Sequence, residues 1–88
     1  MTTYELDKMD QAALREFWGR VHRHPVKTAR EIFPERRPRY VAAAHSLANY
    51  AINRAAMLSC KAKGDKHGVS VYKHAMSLCR DDLPLWAD

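Results

Sequence analysis

The chain predicts an all-α fold: a small helical domain whose long central helix forms an antiparallel hairpin with one helix and carries one or two shorter N-terminal helices packed on it. Three observations predict this. Apolar residues recur at 3,4 spacing through successive segments. No segment alternates with the period of two that a half-buried strand requires. Pro25, Pro34, Pro38, Gly64 and Pro84 fall between those segments and not inside them. At 88 residues the chain is one domain. A chain of this size buries only about 60–65% of its unfolded surface, which leaves little room for a deep substrate pocket.

The first strong helix spans residues 10–23. Asp10 is a good N-cap, and Met9 before it is placed to staple onto Leu14. Leu14, Phe17, Trp18 and Val21 share one stripe. Upstream, Tyr4-Glu5-Leu6-Asp7 reads as a single turn that lays Leu6 on the core. Pro25 ends the helix, because the residue before a proline avoids helical angles. A short helix follows over 26–33, with Val26, Ala29, Ile32 and Phe33 inward, and Pro34 stops it. Glu35-Arg36-Arg37-Pro38 is a connector, with Pro38 at the first position of the next helix.

That helix, residues 39–63, is the longest. Val41, Ala44, Ala48, Ala51, Ala55, Leu58 and Ala62 form a seam in which five of seven residues are alanine. Such a seam lets a second helix approach near the short end of the usual 8–10 Å. A neighbouring stripe runs through Tyr40, Ala43, Leu47, Tyr50 and Met57. Gly64 supplies a left-handed C-cap. The last helix, about 65–80, carries Val69, Tyr72, Met76 and Cys79, with Leu83 continuing the spacing. Gly68 weakens its first turn by about 1 kcal/mol of propensity. Leu85 and Trp86 read as an apolar clip folding back on the domain.

Cys60 and Cys79 sit on the two arms of this hairpin. In register, Cys60 faces about residue 69 and Cys79 about residue 50. That separates them by roughly 15 Å at about 1.5 Å of rise per residue, beyond the reach of a disulfide. Both are expected to be reduced. No apolar run is long enough to span a membrane, and the N-terminal residues lack the pattern of a secretory signal. The expected compartment is a cytoplasm.

Charge is the functional clue. Residues 20–39 carry Arg20, Arg23, Lys27, Arg30, Arg36, Arg37 and Arg39 against Glu31 and Glu35. The balance, 7 − 2 = +5, equals the net charge of the whole chain, and the rest sums to zero. Concentrated positive charge suits a phosphate backbone, an acidic protein face or anionic lipid. Arginine outnumbers lysine six to one here, which favours bidentate contacts. Arg36, Arg37 and Arg39 lie at the start of the long helix, where each well-placed positive charge opposes the dipole at a cost of about 0.3–1 kcal/mol. A bound anion there would reverse the sign. The competing reading is a solvated loop whose arginines pair with acids such as Asp81 and Asp82.

Sharper chemistry is not encoded. His22 and His24 have no third metal ligand at useful spacing, and His67 and His74 lie about 10 Å apart along a helix. Ser46, Ser59, Ser70 and Ser77 lack a nucleophile signature, and there is no glycine-rich phosphate loop. The chain is therefore expected to be no enzyme, with no cofactor and no metal. A helix-turn-helix over 26–50 is disfavoured by a connector without a turn glycine and by the core-like alanine seam. Gly64-Asp65, Tyr72, Ala75, Leu78 and Pro84 resemble the second half of a tetratricopeptide unit, but the 34-residue period does not recur. An ordinary helical hairpin explains them.

Ala13-Leu14-Arg15-Glu16-Phe17-Trp18, Leu47-Ala48-Asn49-Tyr50-Ala51 with Asn53, and Tyr72 with the closing Leu83-Pro84-Leu85-Trp86-Ala87 resemble short uncharacterised accessory proteins of tailed bacteriophages and prophages. The resemblance spans about residues 12–87. It transfers no catalytic or binding residues. It implies a small factor, acting in the host cytoplasm, that binds host protein or nucleic acid.

The sequence thus leads to a non-enzymatic accessory protein that uses its basic 20–39 segment to bind a host macromolecule, either a protein with an acidic surface or nucleic acid. Direct DNA or RNA binding with weak sequence specificity is the alternative, and a structural role in a particle is the second alternative. Tyr50, Met57 and Trp86 are expected to form an apolar interface, because one antiparallel partner covers only part of the long helix. That leftover patch predicts a homodimer.

Overall fold

The computed structural model describes all 88 residues as five α-helices and a closing 3-10 turn, with no strand. The helices are α1 (Thr3–Leu6), α2 (Gln11–Arg23), α3 (Pro25–Ile32), α4 (Tyr40–Ala62) and α5 (Lys66–Asp81), and the 3-10 turn covers Leu85–Ala87. Local chemistry explains the boundaries. Asp10 adopts an extended conformation and its carboxylate accepts from the Ala13 N–H at 2.9 Å, closing the first turn of α2. Both residues before the next two prolines leave helical angles: His24 at φ −139°, ψ 69° and Phe33 at φ −127°, ψ 76°. His24 therefore ends α2 and begins α3, with Pro25 in its first turn.

Two details of this region differ from the sequence expectation. Val26 is 46% exposed, and Thr28 takes the inward place beside Ala29 and Ile32. Thr28 can be buried because its hydroxyl donates to the Arg20 carbonyl at 3.2 Å, pinning α3 to the end of α2. Pro38 lies outside α4, in the second of two hydrogen-bonded turns. The Arg36 N–H donates to the Phe33 carbonyl at 3.0 Å and the Tyr40 N–H to the Arg37 carbonyl at 3.2 Å. Pro34 and Pro38 each occupy the second position of a turn, which their fixed φ suits.

α4 is the central element. Every other α-helix packs on it, and α2 with α3 is the only other helix pair in substantial contact. Ala44, Ala48, Ala51 and Ala55 of its seam are fully buried and Val41 and Leu58 half-buried, but Ala62, the last residue of the predicted seam, is exposed at the end of α4. The neighbouring stripe is buried too, through Ala43, Leu47, Tyr50 and Met57. Leu14, Phe17 and Val21 of α2, Ala29 and Ile32 of α3 and Met76 of α5 complete one core. Leu6 is fully buried as the single-turn reading requires.

The α4–α5 hairpin has the register that the sequence implied. Gly64 closes it at φ 74°. Cys60 lies against Gly68, and Cys79 receives a long contact from the Asn53 amide at 3.9 Å. Both cysteines are free. Burial pushes the Cys79 thiol up, and the Asp82 carboxylate adds to the effect. The close approach crowds Gly68: a Cβ there would stand 2.6 Å from the Cys60 sulfur and 2.5 Å from an Asp65 carboxylate oxygen, so both side chains would have to shift. That same carboxylate caps α5 by accepting from the Gly68 N–H at 2.9 Å.

Two mutations test this packing. Ala48→Leu or Ala51→Leu should overfill the seam and cost about 1–3 kcal/mol in urea denaturation; unchanged stability would place the seam outside the core. Gly68→Ala, which in an open helix would gain about 1 kcal/mol, should instead destabilise the protein. Adding Cys60→Ala should recover part of the loss.

Candidate functional site

The seven basic residues predicted as the site occupy three consecutive elements. Arg20 and Arg23 lie on the last turns of α2, Lys27 and Arg30 on the solvent face of α3, and Arg36, Arg37 and Arg39 on the two turns before α4. Six of the seven have no ion-pair partner within 4.0 Å, the exception being Arg37, which pairs with Glu35 at 3.2 Å. Arg20 lies partly over the Phe17 ring, 5.9 Å from its centroid, and its buried Nε has no hydrogen-bond partner. The Arg23 guanidinium folds back over Gly19, where a Cβ would come within 2.8 Å of it.

Arg36 and Arg39 have an unusual backbone. Both take positive φ, 46° and 62° respectively. The left-handed region disfavours any residue with a Cβ by about 1 kcal/mol or more. Arg39 is also the N-cap of α4, offers no side-chain cap, and begins a helix without an acidic residue in its first turn. Glycine would suit both backbones, and asparagine or aspartate would suit the cap.

The three arginines do not form one cluster. Arg36 and Arg37 line a cleft with Met1, Phe33, Pro34 and Trp86. Arg39 lines a separate groove whose far wall carries Asp81 and Asp82. Neither carboxylate comes within 4.0 Å of Arg39.

The apolar half of the predicted site requires correction. Tyr50 and Met57 are only 3% and 5% exposed, so they belong to the core and not to an interface. The second stripe of α4, on which the expected homodimer rested, is covered within the chain by α1, α5 and the segments beside them. Trp86 alone of the three remains half-exposed, edge-on to Phe33 with ring centroids 4.9 Å apart. It therefore borders the Arg36–Arg37 cleft, with Leu85 beside it almost fully exposed.

Tyr50 ends in a polar knot that composition alone could not reveal. Its hydroxyl donates to the Asp7 carboxylate, and the Arg80 guanidinium sits 5.7 Å from its ring centroid. Arg54 donates to the Asp7 carbonyl at 3.0 Å and lies 3.6 Å from the carboxylate. Arg80 donates to Asp88 at 3.1 Å and to Thr3 at 3.1 Å. The Thr3 hydroxyl in turn donates to Asp88 at 3.0 Å. This knot fastens both ends of the chain to the α4–α5 pair.

Burial, the hydrogen bond to Asp7 and the Asp7 charge push the Tyr50 phenol up from 10.0 to about 12. The fold thus holds the neutral phenol. Its contribution is fully present below pH 10 and is lost as pH rises through about 12. Tyr50→Phe should cost about 1–2 kcal/mol at neutral pH and should flatten the decline of stability between pH 10 and 12 relative to the parent. Parallel pH profiles for the two proteins would detach Tyr50 from Asp7.

Sequence reasoning also missed a second basic group. Residues 54–73 hold Arg54, Lys61, Lys63, Lys66 and Lys73 against Asp65, or 5 − 1 = +4. Summing the remainder of the chain to zero hid it behind the acids at either end; a sliding charge window would have shown it. No helix is long and apolar enough to cross a membrane. Comparison with protein-family models, with curated proteins and with solved structures yields no match, so the functional reading of this chain rests on its own residues.

Proposed function

We propose that the protein is a non-catalytic accessory factor that binds an acidic surface of a host protein through the basic segment 20–39. The carrying observation is the placement of Arg36 and Arg39. Each holds a side chain where the backbone favours glycine, neither has an ionic partner inside the fold, and Arg39 also lies at the start of α4, where positive charge is disfavoured. An external partner would supply the contact that these two side chains lack within the fold. Trp86, half-exposed beside Arg36 and Arg37, adds an aromatic anchor of the kind enriched at the centres of interfaces.

The resemblance to phage accessory proteins supplies the context of a host partner. Arginine predominance supports carboxylate pairing in fork geometry. Direct nucleic-acid binding uses the same residues and is separated by salt. Phosphate binding loses affinity steeply, with log K falling about 0.9 per phosphate neutralised.

The test is capture of partners from a bacterial lysate, with and without nuclease, using the parent and a triple variant Arg36→Ala, Arg37→Ala, Arg39→Ala. A nuclease-resistant protein partner that the triple variant fails to hold is expected. Thermal unfolding of the variant should match or exceed that of the parent. Equal capture by both proteins would end the basic-surface reading. The single changes Arg36→Gly and Arg39→Gly should each raise stability by up to about 1 kcal/mol, by relieving the left-handed backbone, while weakening capture.

A further inference from the structure

At the opposite end of α4 from the basic turns, α4 and α5 meet in a groove of about 520 Å³. Tyr40 and Ala62, the two ends of α4, are about 33 Å apart at about 1.5 Å per residue, so this groove is remote from Arg36 and Arg39. Met57, Leu58 and Val69 are its apolar lining residues, and Arg54, Lys61, Lys66 and Lys73 surround them. Its volume lies within the range of about 300–1,000 Å³ usual for small-molecule sites.

The charges here are not equivalent. Arg54 is committed to Asp7, at 3.0 Å from its carbonyl and 3.6 Å from its carboxylate. Asp65, the one acid lining the groove, points an oxygen at the Gly68 N–H to cap α5. Lys61, Lys66 and Lys73 are exposed and engage no hydrogen-bond or ion-pair partner. Counting all five groups, the groove carries 4 − 1 = +3. Three free ammonium groups around an apolar floor do not match bare phosphate, which would leave Leu58 and Val69 uncovered. Nor do they match a neutral hydrocarbon, which would leave the ammonium groups without a partner.

We infer that this groove binds a small amphiphilic anion, with its apolar body over Leu58 and Val69 and its carboxylate or phosphate head among Lys61, Lys66 and Lys73. Hydrophobic burial supplies affinity and the lysines supply orientation and charge selectivity. The lysine stems cover the flanks of the apolar body while their ammonium groups stay in water. The same chemistry is presented by a free fatty-acid-like molecule and by the headgroup region of an anionic lipid, and the experiment distinguishes these sources.

The probe is decanoate, titrated below its micelle concentration and followed by methyl NMR. Saturable shifts at the Met57 and Val69 methyls are expected, with Met1, Met9 and Met76 unmoved. The triple change Lys61→Gln, Lys66→Gln, Lys73→Gln removes only exposed, unpaired charges, so its circular dichroism should match the parent while decanoate affinity falls about tenfold. The Arg36, Arg37, Arg39 triple variant should bind decanoate like the parent. Absence of saturable shifts at Met57 and Val69, equal affinity in the lysine variant, or the same shifts from inorganic phosphate alone would overturn the assignment. Cosedimentation with phosphatidylglycerol vesicles without any saturable decanoate response would also overturn it, in favour of a bilayer surface.

Discussion

The structure depends on α4 being coverable from several sides at once. A helix whose buried residues form two adjacent stripes needs more than one partner, and α4 receives four. The alanines make this feasible. On the seam they bring a partner backbone close, and the large side chains then come from the partner, chiefly Leu14, Phe17 and Val21 of α2. On the other stripe the arrangement is reversed: the large side chains, Tyr50 and Met57, project from α4 itself. Small side chains on the central helix and large ones on its neighbours keep the core dense in a chain with little interior.

The polar contacts follow from that arrangement. α1 is a single turn and the closing 3-10 turn has three residues, so neither is stable through its own backbone hydrogen bonds. Each is held by a buried anchor, Leu6 and Ala87, and by the knot of Asp7, Tyr50, Arg54, Arg80, Thr3 and Asp88. This knot occupies two of the acids, Asp7 and Asp88, and two of the arginines, Arg54 and Arg80, that lie outside the basic segment. The protein therefore separates its cations by role. Arg54 and Arg80 are internal fasteners, whereas Arg23, Lys27, Arg30, Arg36 and Arg39 are exposed and have no ionic partner.

That separation gives the molecule two basic ends on a body 40 Å long. One end is arginine-rich, built on prolyl turns and a strained backbone, and borders a half-exposed tryptophan. The other is lysine-rich and rims an apolar groove between two regular helices. Arginine forks beside an aromatic ring suit a fixed macromolecular face. Mobile lysines around a small apolar floor suit a compact amphiphile. The difference in chemistry between the ends is the reason to assign them different occupants.

Periodicity and breakers alone determined the four longer helices, the N-cap at Asp10, the turn at Gly64, the inward Leu6 and the register that keeps Cys60 from Cys79. These are local properties, fixed by side-chain spacing and by backbone angles that proline and glycine restrict. Net charge located the arginine segment for the same reason. The fate of Tyr50, Met57 and Val26 was not local. An apolar side chain on a helix is core or surface according to which other segment reaches it, and α1 with its C-cap Asp7 reaches Tyr50, more than forty residues away. The lysine groove and the knot at Asp7 likewise arise from residues distant in sequence, so only the packing of α1 and α5 on α4 decided them.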